Sequence, residues 1–116
     1  MNLLDTDFVI RLLREKRFET GHISVFTLIE ILRGLEDDKR LQVKGLVEES
    51  FTVEGLDNKT IQAYCNLYRR LKEQGASLPD ADLLIAATAI SHNAILRTSD
   101  QHFTRLADLG LKLAPG

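Results

Sequence analysis

Acidic residues occur along this chain at places where a parallel sheet would gather ligands. Asp5 directly follows a short apolar run, and Asp100 follows another near residue 96. Asp82 lies in the first turn of a segment so apolar that its carboxylate would need a partner such as a cation. Because clustered carboxylates repel one another unless a cation compensates them, these residues together indicate a divalent-metal site. Mg²⁺ and Mn²⁺ are hard ions that prefer such oxygen ligands.

Hydrolysis of a phosphodiester is one reaction that such a site can catalyse. A metal held by a few carboxylates can sharpen a water nucleophile and neutralise charge on a phosphodiester undergoing in-line attack. A second metal nearby would also stabilise the leaving oxygen.

Each acid also has a structural interpretation that the residues alone leave open. Aspartates at the start of a helix cap unpaired backbone N–H groups, and this role is open to both Asp5 and Asp100. Asp7 is well placed to cap the first predicted helix, and Asp80 is a natural N-cap of the most apolar one. Glu30 lies opposite the apolar stripe of its helix, so periodicity alone indicates a solvated surface glutamate.

The elements that must position these acids alternate between strands and helices. Short apolar runs predict strands at residues 2–4, 22–24, 51–53 and 94–96, with a possible edge strand at 111–113. Apolar residues at helical spacing predict helices at 8–13, 25–35, 37–49, from 58 or 60 to about 75, 80–91 and 101–109. The segment 80–91 is apolar nearly all round, which indicates a helix buried on most sides.

This order favours a three-layer α/β/α sandwich, in which a short parallel sheet with Rossmann-like order carries helices on both faces. Ligands of such sheets lie beyond the carboxyl ends of the strands, where the strand order reverses. The first and fourth strands are neighbours in a doubly wound sheet. Asp5 and Asp100 could therefore face each other across that point.

Composition restricts the class of protein without identifying its function. The 116 residues are enough for one domain, predicted to cover residues 1–116. Lys+Arg 15 against Asp+Glu 17 gives a net charge of -2, so the strongly basic footprint of many nucleic-acid-binding proteins is missing. The single cysteine, Cys65, excludes an intramolecular disulfide. With neither a signal-peptide pattern nor an apolar run of membrane-spanning length, we expect a cytoplasmic protein without membrane association.

Four segments of the chain resemble, in order, the motifs of the PIN-domain family. They are LLDTDFVI (3–10), ISVFTLIEILRG (23–34), LPDADLLIAATA (78–89) and LRTSDQHF (96–103). The third is the most specific, and the correct order of all four makes their joint signal strong. Within the family the chain is most similar to VapC-type toxins, the ribonuclease halves of toxin–antitoxin pairs.

The resemblance implies a Mg²⁺- or Mn²⁺-dependent endoribonuclease with the three-layer fold. Transferred to this sequence, it implies a catalytic and metal-binding quartet formed by Asp5, Glu30, Asp82 and Asp100. It also gives Glu30 a role in the site, because the polar face of a helix can still line a cleft. The implied partners are an RNA substrate, a small VapB-type antitoxin and a second copy of the chain in a homodimer.

Residues beside the quartet have predicted supporting roles. The hydroxyls of Thr6, Thr98 and Ser99 could orient an acid or a water, and Asp80 is an extra acid next to Asp82. His22, His92 and His102 are too scattered in sequence to suggest a metal trio, and for His102 a surface role is favoured.

Other functions are also compatible with parts of the sequence. Asp5 and Asp7 after a first strand would suit a haloacid-dehalogenase-like phosphatase, with Asp5 as nucleophile and Asp7 as general acid. Such enzymes usually add a later lysine and a terminal acidic pair, and they are generally longer. A non-catalytic PIN-like module that binds RNA or protein is the other alternative, although the presence of all four acids argues against it. The same chemistry would also serve RNA maturation or decay.

Overall fold

The computed structural model describes residues 1–116 as a five-stranded sheet with helices on both faces. All strand pairs are parallel, and the strand order is β3-β2-β1-β4-β5. The strands are β1 (Asn2–Leu4), β2 (His22–Ser24), β3 (Thr52–Glu54), β4 (Ile95–Arg97) and β5 (Lys112–Ala114). The helices are α1 (Thr6–Arg14), α2 (Val25–Leu32), α3 (Asp37–Ser50), α4 (Asn58–Glu73), α5 (Asp80–Ser91) and a 3-10 helix (Gln101–Leu109). The three-layer prediction is confirmed.

The hydrophobic core consists of two layers, one on each face of the sheet, and neighbouring side chains of β1 belong to different layers. Leu3 packs in a cluster with residues of α4, α5 and the 3-10 helix, whereas Leu4 packs in a second cluster with residues of α1, α2 and α3. Both leucines are completely buried, as expected for a parallel sheet covered on both faces. Because successive side chains of a strand point to opposite faces, three residues are enough to anchor β1 in both layers.

The fifth helix is the most deeply buried one, as its composition predicted. Six of its twelve residues are buried, and among them Ile85, Ala86 and Ala87 have no exposed surface. The small side chains of α5 also permit its close packing against α4. None of the helices combines the length and the apolar character that a membrane span requires.

Two predicted helix caps are wrong. Asp7 does not cap α1, because β1 ends at Leu4 and Asp5 is the only extended residue before the helix begins at Thr6. Asp80 does not cap α5, because Pro79 occupies the cap position with extended backbone and Asp80 is already helical. In both cases the helix begins one or two residues earlier than the pattern of aspartates predicted.

Most of the remaining boundaries differ by at most two residues, but α2 ends at Leu32, three residues before its predicted end. The third and fourth strands start and end one residue later than predicted, and β5 also lies one residue further along the chain. The last helix is of the 3-10 type and ends at Leu109, and the positive φ of 106° at the following Gly110 suits glycine. The predicted edge strand exists and pairs in parallel with β4.

Candidate active site

The first and fourth strands bring Asp5 next to Thr98 at the carboxyl edge of the sheet. β1 and β4 are paired with Leu4 opposite Arg97, so the next residue of each strand lies at the same edge. The backbone N–H of Asp5 donates to the Arg97 carbonyl at 3.0 Å. The Thr98 hydroxyl donates to Asp5 Oδ2 at 2.7 Å. The expected proximity of the first and fourth strands is therefore realised through direct contacts.

Asp5 is a buried carboxylate that is held by two donors. It is only 5% exposed, and its Oδ1 accepts the backbone N–H of Thr6 at 2.8 Å. Burial raises the pKa of Asp5 from 3.8 to about 6, although the hydrogen bonds from Thr98 and Thr6 oppose this rise. The negative charges of Asp7 and Asp100 add to it. Burial of a negative charge is unfavourable, and a cation bound beside the Asp5 carboxylate would offset that cost.

Glu30 is directed toward the start of α1. The Thr6 hydroxyl donates to Glu30 Oε1 at 2.8 Å and lies 3.0 Å from the hydroxyl oxygen of Thr27, which is completely buried. Arg33, one turn later, places its guanidinium 3.9 Å from Glu30 Oε2. The Glu30 side chain is only 22% exposed, so it is not the solvated surface glutamate that periodicity alone indicated.

Asp82 lies among the other acids at the start of α5. Burial raises its pKa, the charges of Asp100 and Glu30 raise it further, and His102 lowers it. Ligand atoms of Asp82 and Asp100 lie within 4.8 Å of each other, so these two carboxylates are neighbours in space.

Asp100 is fixed at the start of the 3-10 helix. Its Oδ1 accepts the backbone N–H of His102 at 2.9 Å, and its own N–H donates to the Thr98 hydroxyl oxygen at 3.0 Å. The predicted capping role of Asp100 is thus confirmed. Thr98 therefore contacts both Asp5 and Asp100, and it connects the two aspartates through a single hydroxyl.

The sequence-predicted residues do not all lie in this cluster. Asp80 is exposed and accepts the Tyr64 hydroxyl at 2.7 Å, a bond that raises the pKa of Tyr64 to about 12. Asp80 is thus bound to α4, and it makes no hydrogen bond to the four acids. Ser99 and Asp7 are exposed and make no side-chain hydrogen bonds.

His102 belongs to the cluster although its predicted role was a surface one. Ligand atoms of Asp82, Asp100 and His102 all lie within 4.8 Å of one another. The imidazole is exposed, as expected, but its Nδ1 is 3.2 Å from Asp100 Oδ1. The sequence did contain a signal. The carboxylate of a capping aspartate accepts the backbone N–H of the residue two positions later. The Cβ of that residue, here His102, therefore lies close to the capping carboxylate.

The donor set fits a hard divalent cation. The four carboxylates come from the residue after β1, from α2, from α5 and from the residue before the 3-10 helix, and the Arg33 guanidinium and the His102 imidazole lie beside them. Burial is the main cause of the raised pKa values of Asp5 and Asp82, and the neighbouring carboxylates add to both. Mg²⁺ and Mn²⁺ would find the oxygen ligands that they prefer here. Asp5, Glu30, Asp82 and Asp100 are the residues that would hold such an ion.

Comparison with known proteins extends the similarity to the whole chain. The PIN domain family model matches residues 3–109. Ribonuclease VapC1 of Methanocaldococcus jannaschii is 37% identical over 115 residues, which cover 96% of this chain and 85% of that protein. VapBC-1 from nontypeable Haemophilus influenzae has a chain of similar structure, with a TM-score of 0.80 and 25% identity over 98% of this chain and 96% of that one. VapBC2 from Rickettsia felis, solved with a promoter DNA fragment, gives a TM-score of 0.84 at 23% identity, covering 99% and 98% of the two chains.

Proposed function

This chain belongs to the PIN-domain family, and on that basis we propose that it is a divalent-metal-dependent endoribonuclease, the toxin of a VapBC-type toxin–antitoxin pair. The proposal is supported by the similarity to a protein named a ribonuclease. The structural observation that supports it most directly is the convergence of carboxylates from four distant segments at the carboxyl edge of one sheet.

The reaction is the hydrolysis of RNA phosphodiesters. A divalent cation bound by Asp5, Glu30, Asp82 and Asp100 would lower the pKa of water and neutralise charge on the phosphodiester. The chain itself supplies rigid positions for the four carboxylates, and rigid ligands lower the cost of reorganisation during catalysis.

The supporting hydroxyls fix the orientation of two of these acids. Thr98 and the backbone N–H of Thr6 each bind one oxygen of Asp5, so its carboxylate plane cannot rotate freely. The Thr6 hydroxyl holds one oxygen of Glu30 and leaves the other oxygen beside Arg33. Asp82 needs no such support, because it lies on the rigid and buried helix α5. We assign Thr6 and Thr98 as positioning residues on these contacts.

We propose that only a small part of the protein surface contacts the RNA. The net charge is only -2, so binding must depend on local positive groups. Arg33 is 69% exposed and stands beside Glu30, where it could bind a phosphate next to the scissile bond.

Protein partners are part of the proposal. Apolar side chains remain exposed on the layer formed by α1, α2 and α3, among them Phe18 (83%), Leu41 (71%) and Ile29 (51%). Apolar surface of this kind is typical of interaction sites. A VapB-type antitoxin and a second copy of the chain are the proposed occupants, in agreement with the VapBC complexes among proteins of similar fold. We also propose that the chain acts in the cytoplasm as a single PIN domain.

The test is cleavage of a mixed RNA pool by purified, antitoxin-free protein in Mn²⁺, in EDTA, and after Asp5→Asn. Asp7→Asn is the matched control, because Asp7 is an exposed aspartate two residues away. We expect cleavage in Mn²⁺ that EDTA and Asp5→Asn abolish and that Asp7→Asn retains. Cleavage that survives EDTA, or full activity of Asp5→Asn, would refute the assigned site. Release of phosphate from phosphomonoesters, lost with Asp7→Asn and with RNA left intact, would favour the phosphatase alternative.

A further inference from the structure

His102 adds the only nitrogen ligand to an otherwise all-oxygen cluster. Its imidazole is within 4.8 Å of ligand atoms of both Asp82 and Asp100. We propose that His102 is a ligand of the divalent cation bound in the acidic site, and that it makes the site prefer Mn²⁺ or another first-row transition ion to Mg²⁺. This inference rests on the proposed function, because it assumes that the carboxylates bind a cation.

The backbone around His102 keeps its side chain beside the acids. Asp100 Oδ1 accepts the backbone N–H of His102 at 2.9 Å and also lies 3.2 Å from the imidazole Nδ1. The main chain at residue 102 is thereby tied to the carboxylate that the ring approaches. The His102 side chain is 67% exposed, so the ring can rotate toward an ion between Asp82 and Asp100 without disturbing the core.

The other two histidines are engaged elsewhere. His22 Nδ1 lies 2.7 Å from Glu54 Oε1, and His92 Nε2 lies 3.2 Å from Glu54 Oε2. His92 follows α5, ten residues after Asp82, which corresponds to about 15 Å along a helix. Of the three histidines, His102 is therefore the one placed to bind a cation held by Asp82.

The choice of ion follows from the ligand chemistry. Mg²⁺ requires near-ideal octahedral geometry, is bound by oxygen and dehydrates reluctantly, whereas imidazole is a common ligand of transition ions. One nitrogen among several carboxylates therefore adds binding energy for a transition ion and little for Mg²⁺. In a cell that contains both ions, His102 would therefore increase the fraction of protein molecules that bind a transition ion instead of Mg²⁺.

Mn²⁺ is the probe for the test, because its unpaired electrons report directly on nitrogen ligands. The wild-type chain loaded with Mn²⁺ is examined by pulsed electron paramagnetic resonance for coupling to a ¹⁴N nucleus. His102→Gln and His92→Gln are examined in parallel, and circular dichroism checks that each variant is folded. Calorimetric titrations with Mn²⁺ and with Mg²⁺ give the affinities of all three proteins.

We expect ¹⁴N coupling in the wild type and in His92→Gln, and none in His102→Gln. Loss of the ligand should weaken Mn²⁺ binding about tenfold, and Mg²⁺ binding by less than about twofold. Mn²⁺ binding without ¹⁴N coupling would overturn the role of His102 while leaving the proposed nuclease site intact. Failure of the wild type to bind Mn²⁺ at all, or binding that Asp5→Asn leaves unchanged, would instead refute the acidic site itself.

Discussion

The hydroxyl of Thr98 lies 2.7 Å from Oδ2 of Asp5, although the two residues are 93 positions apart in sequence. The contact joins the carboxyl ends of β1 and β4, and the same hydroxyl oxygen accepts the N–H of Asp100 at 3.0 Å. One threonine thus determines the relative position of two acids that different strands supply.

Replacing Thr98 by valine should reduce activity without removing any metal ligand. The variant keeps the shape of the side chain but removes the hydrogen bond that lowers the pKa of Asp5. We expect kcat/KM to fall about 10- to 100-fold and the acid limb of its pH profile to move to higher pH. Thr98→Ser, which retains the hydroxyl, is the control and should stay close to wild type. An unshifted pH profile in Thr98→Val would show that the hydroxyl does not act through Asp5.

Asp5→Asn should stabilise the metal-free protein at neutral pH although it abolishes cleavage. The pKa of Asp5 rises from 3.8 to about 6 on folding, so the folded state binds this proton more tightly than the unfolded chain. Protonation of Asp5 therefore favours the folded state. This stabilisation is fully present below pH 3.8 and is lost as the pH rises through about 6, because Asp5 then carries its charge in the folded state as well. The shift corresponds to roughly 3 kcal/mol at most, and asparagine, which carries no charge, avoids this loss.

Urea unfolding in EDTA at pH 8 and at pH 4.5 measures this effect. Asp5→Asn should exceed the wild type in free energy of unfolding by about 1 to 2 kcal/mol at pH 8, and by much less at pH 4.5. Asparagine can keep both contacts of Asp5, because its oxygen accepts from Thr6 and the Thr98 oxygen can accept from its amide. A less stable variant at pH 8 would contradict a raised pKa of Asp5.

Thr6→Val should impair catalysis through Glu30. The variant removes the 2.8 Å hydrogen bond that holds Glu30 Oε1 and leaves the Thr27 hydroxyl without its partner. We expect kcat to fall about tenfold and stability to fall by about 1 kcal/mol. Thr6→Ser provides the matched comparison, since serine keeps the hydroxyl. Equal kcat values for the valine and serine variants would exclude a positioning role for this hydroxyl.

Removal of the metal should destabilise the folded protein. A ligand that binds only the folded state at 100 times its Kd contributes about 2.7 kcal/mol, which should raise Tm by several degrees. We expect Mn²⁺ to raise the Tm of the wild type and of Asp7→Asn, and EDTA to reverse the increase. Asp82→Asn should lose most of the increase. A gain in Tm that Asp82→Asn keeps in full would place the bound ion elsewhere.

Glu54→Gln should lower stability and leave cleavage unchanged. The Glu54 carboxylate is only 20% exposed and joins His22 on β2 to His92 after α5. Loss of its charge weakens both contacts, and we expect a decrease of about 1 to 2 kcal/mol in the free energy of unfolding at pH 6. RNA cleavage by the folded variant is the control. A large loss of cleavage would connect this cluster to the acidic site.

The adjacency of Asp5 and Asp100 could be predicted because it depends on topology alone. Alternating strands and helices favour a parallel doubly wound sheet, and such a sheet places its first and fourth strands side by side. The pairing of β1 with β4 confirms this. The order of these strands follows from topology rules that hold for many sequences, so no side-chain detail was needed.

The spacing of apolar residues in α2 could not predict which part of the protein the Glu30 side chain contacts. A helical wheel separates the side that packs on the sheet from the side that does not, but it does not show which neighbouring element lies beside the polar face. Here Thr6 of α1 lies beside it and binds the carboxylate. The family resemblance, which compares motifs rather than periodicity, gave Glu30 its role in the site.

Asp5 caps α1, as one interpretation of the sequence allowed, and the alternative cap at Asp7 was wrong because a strand and a helix can follow each other with a single residue between them. The sequence around Asp5 and Asp7 offers two aspartates of equal capping ability, and the end of β1 decides between them. That end depends on pairing with β4, which lies about 90 positions further along the chain. Local patterns contain no information on this choice.

The pairing of β1 with β4 also affects when the protein can become active during its synthesis. Asn2 is paired with Ile95, and Asp5 acquires its Thr98 contact only after this pairing. A nascent chain that has not yet emerged beyond residue 100 lacks one acid and the hydroxyl that orients another. A ribosome that makes this protein is therefore exposed to an assembled cutting site only when translation of the domain is almost complete.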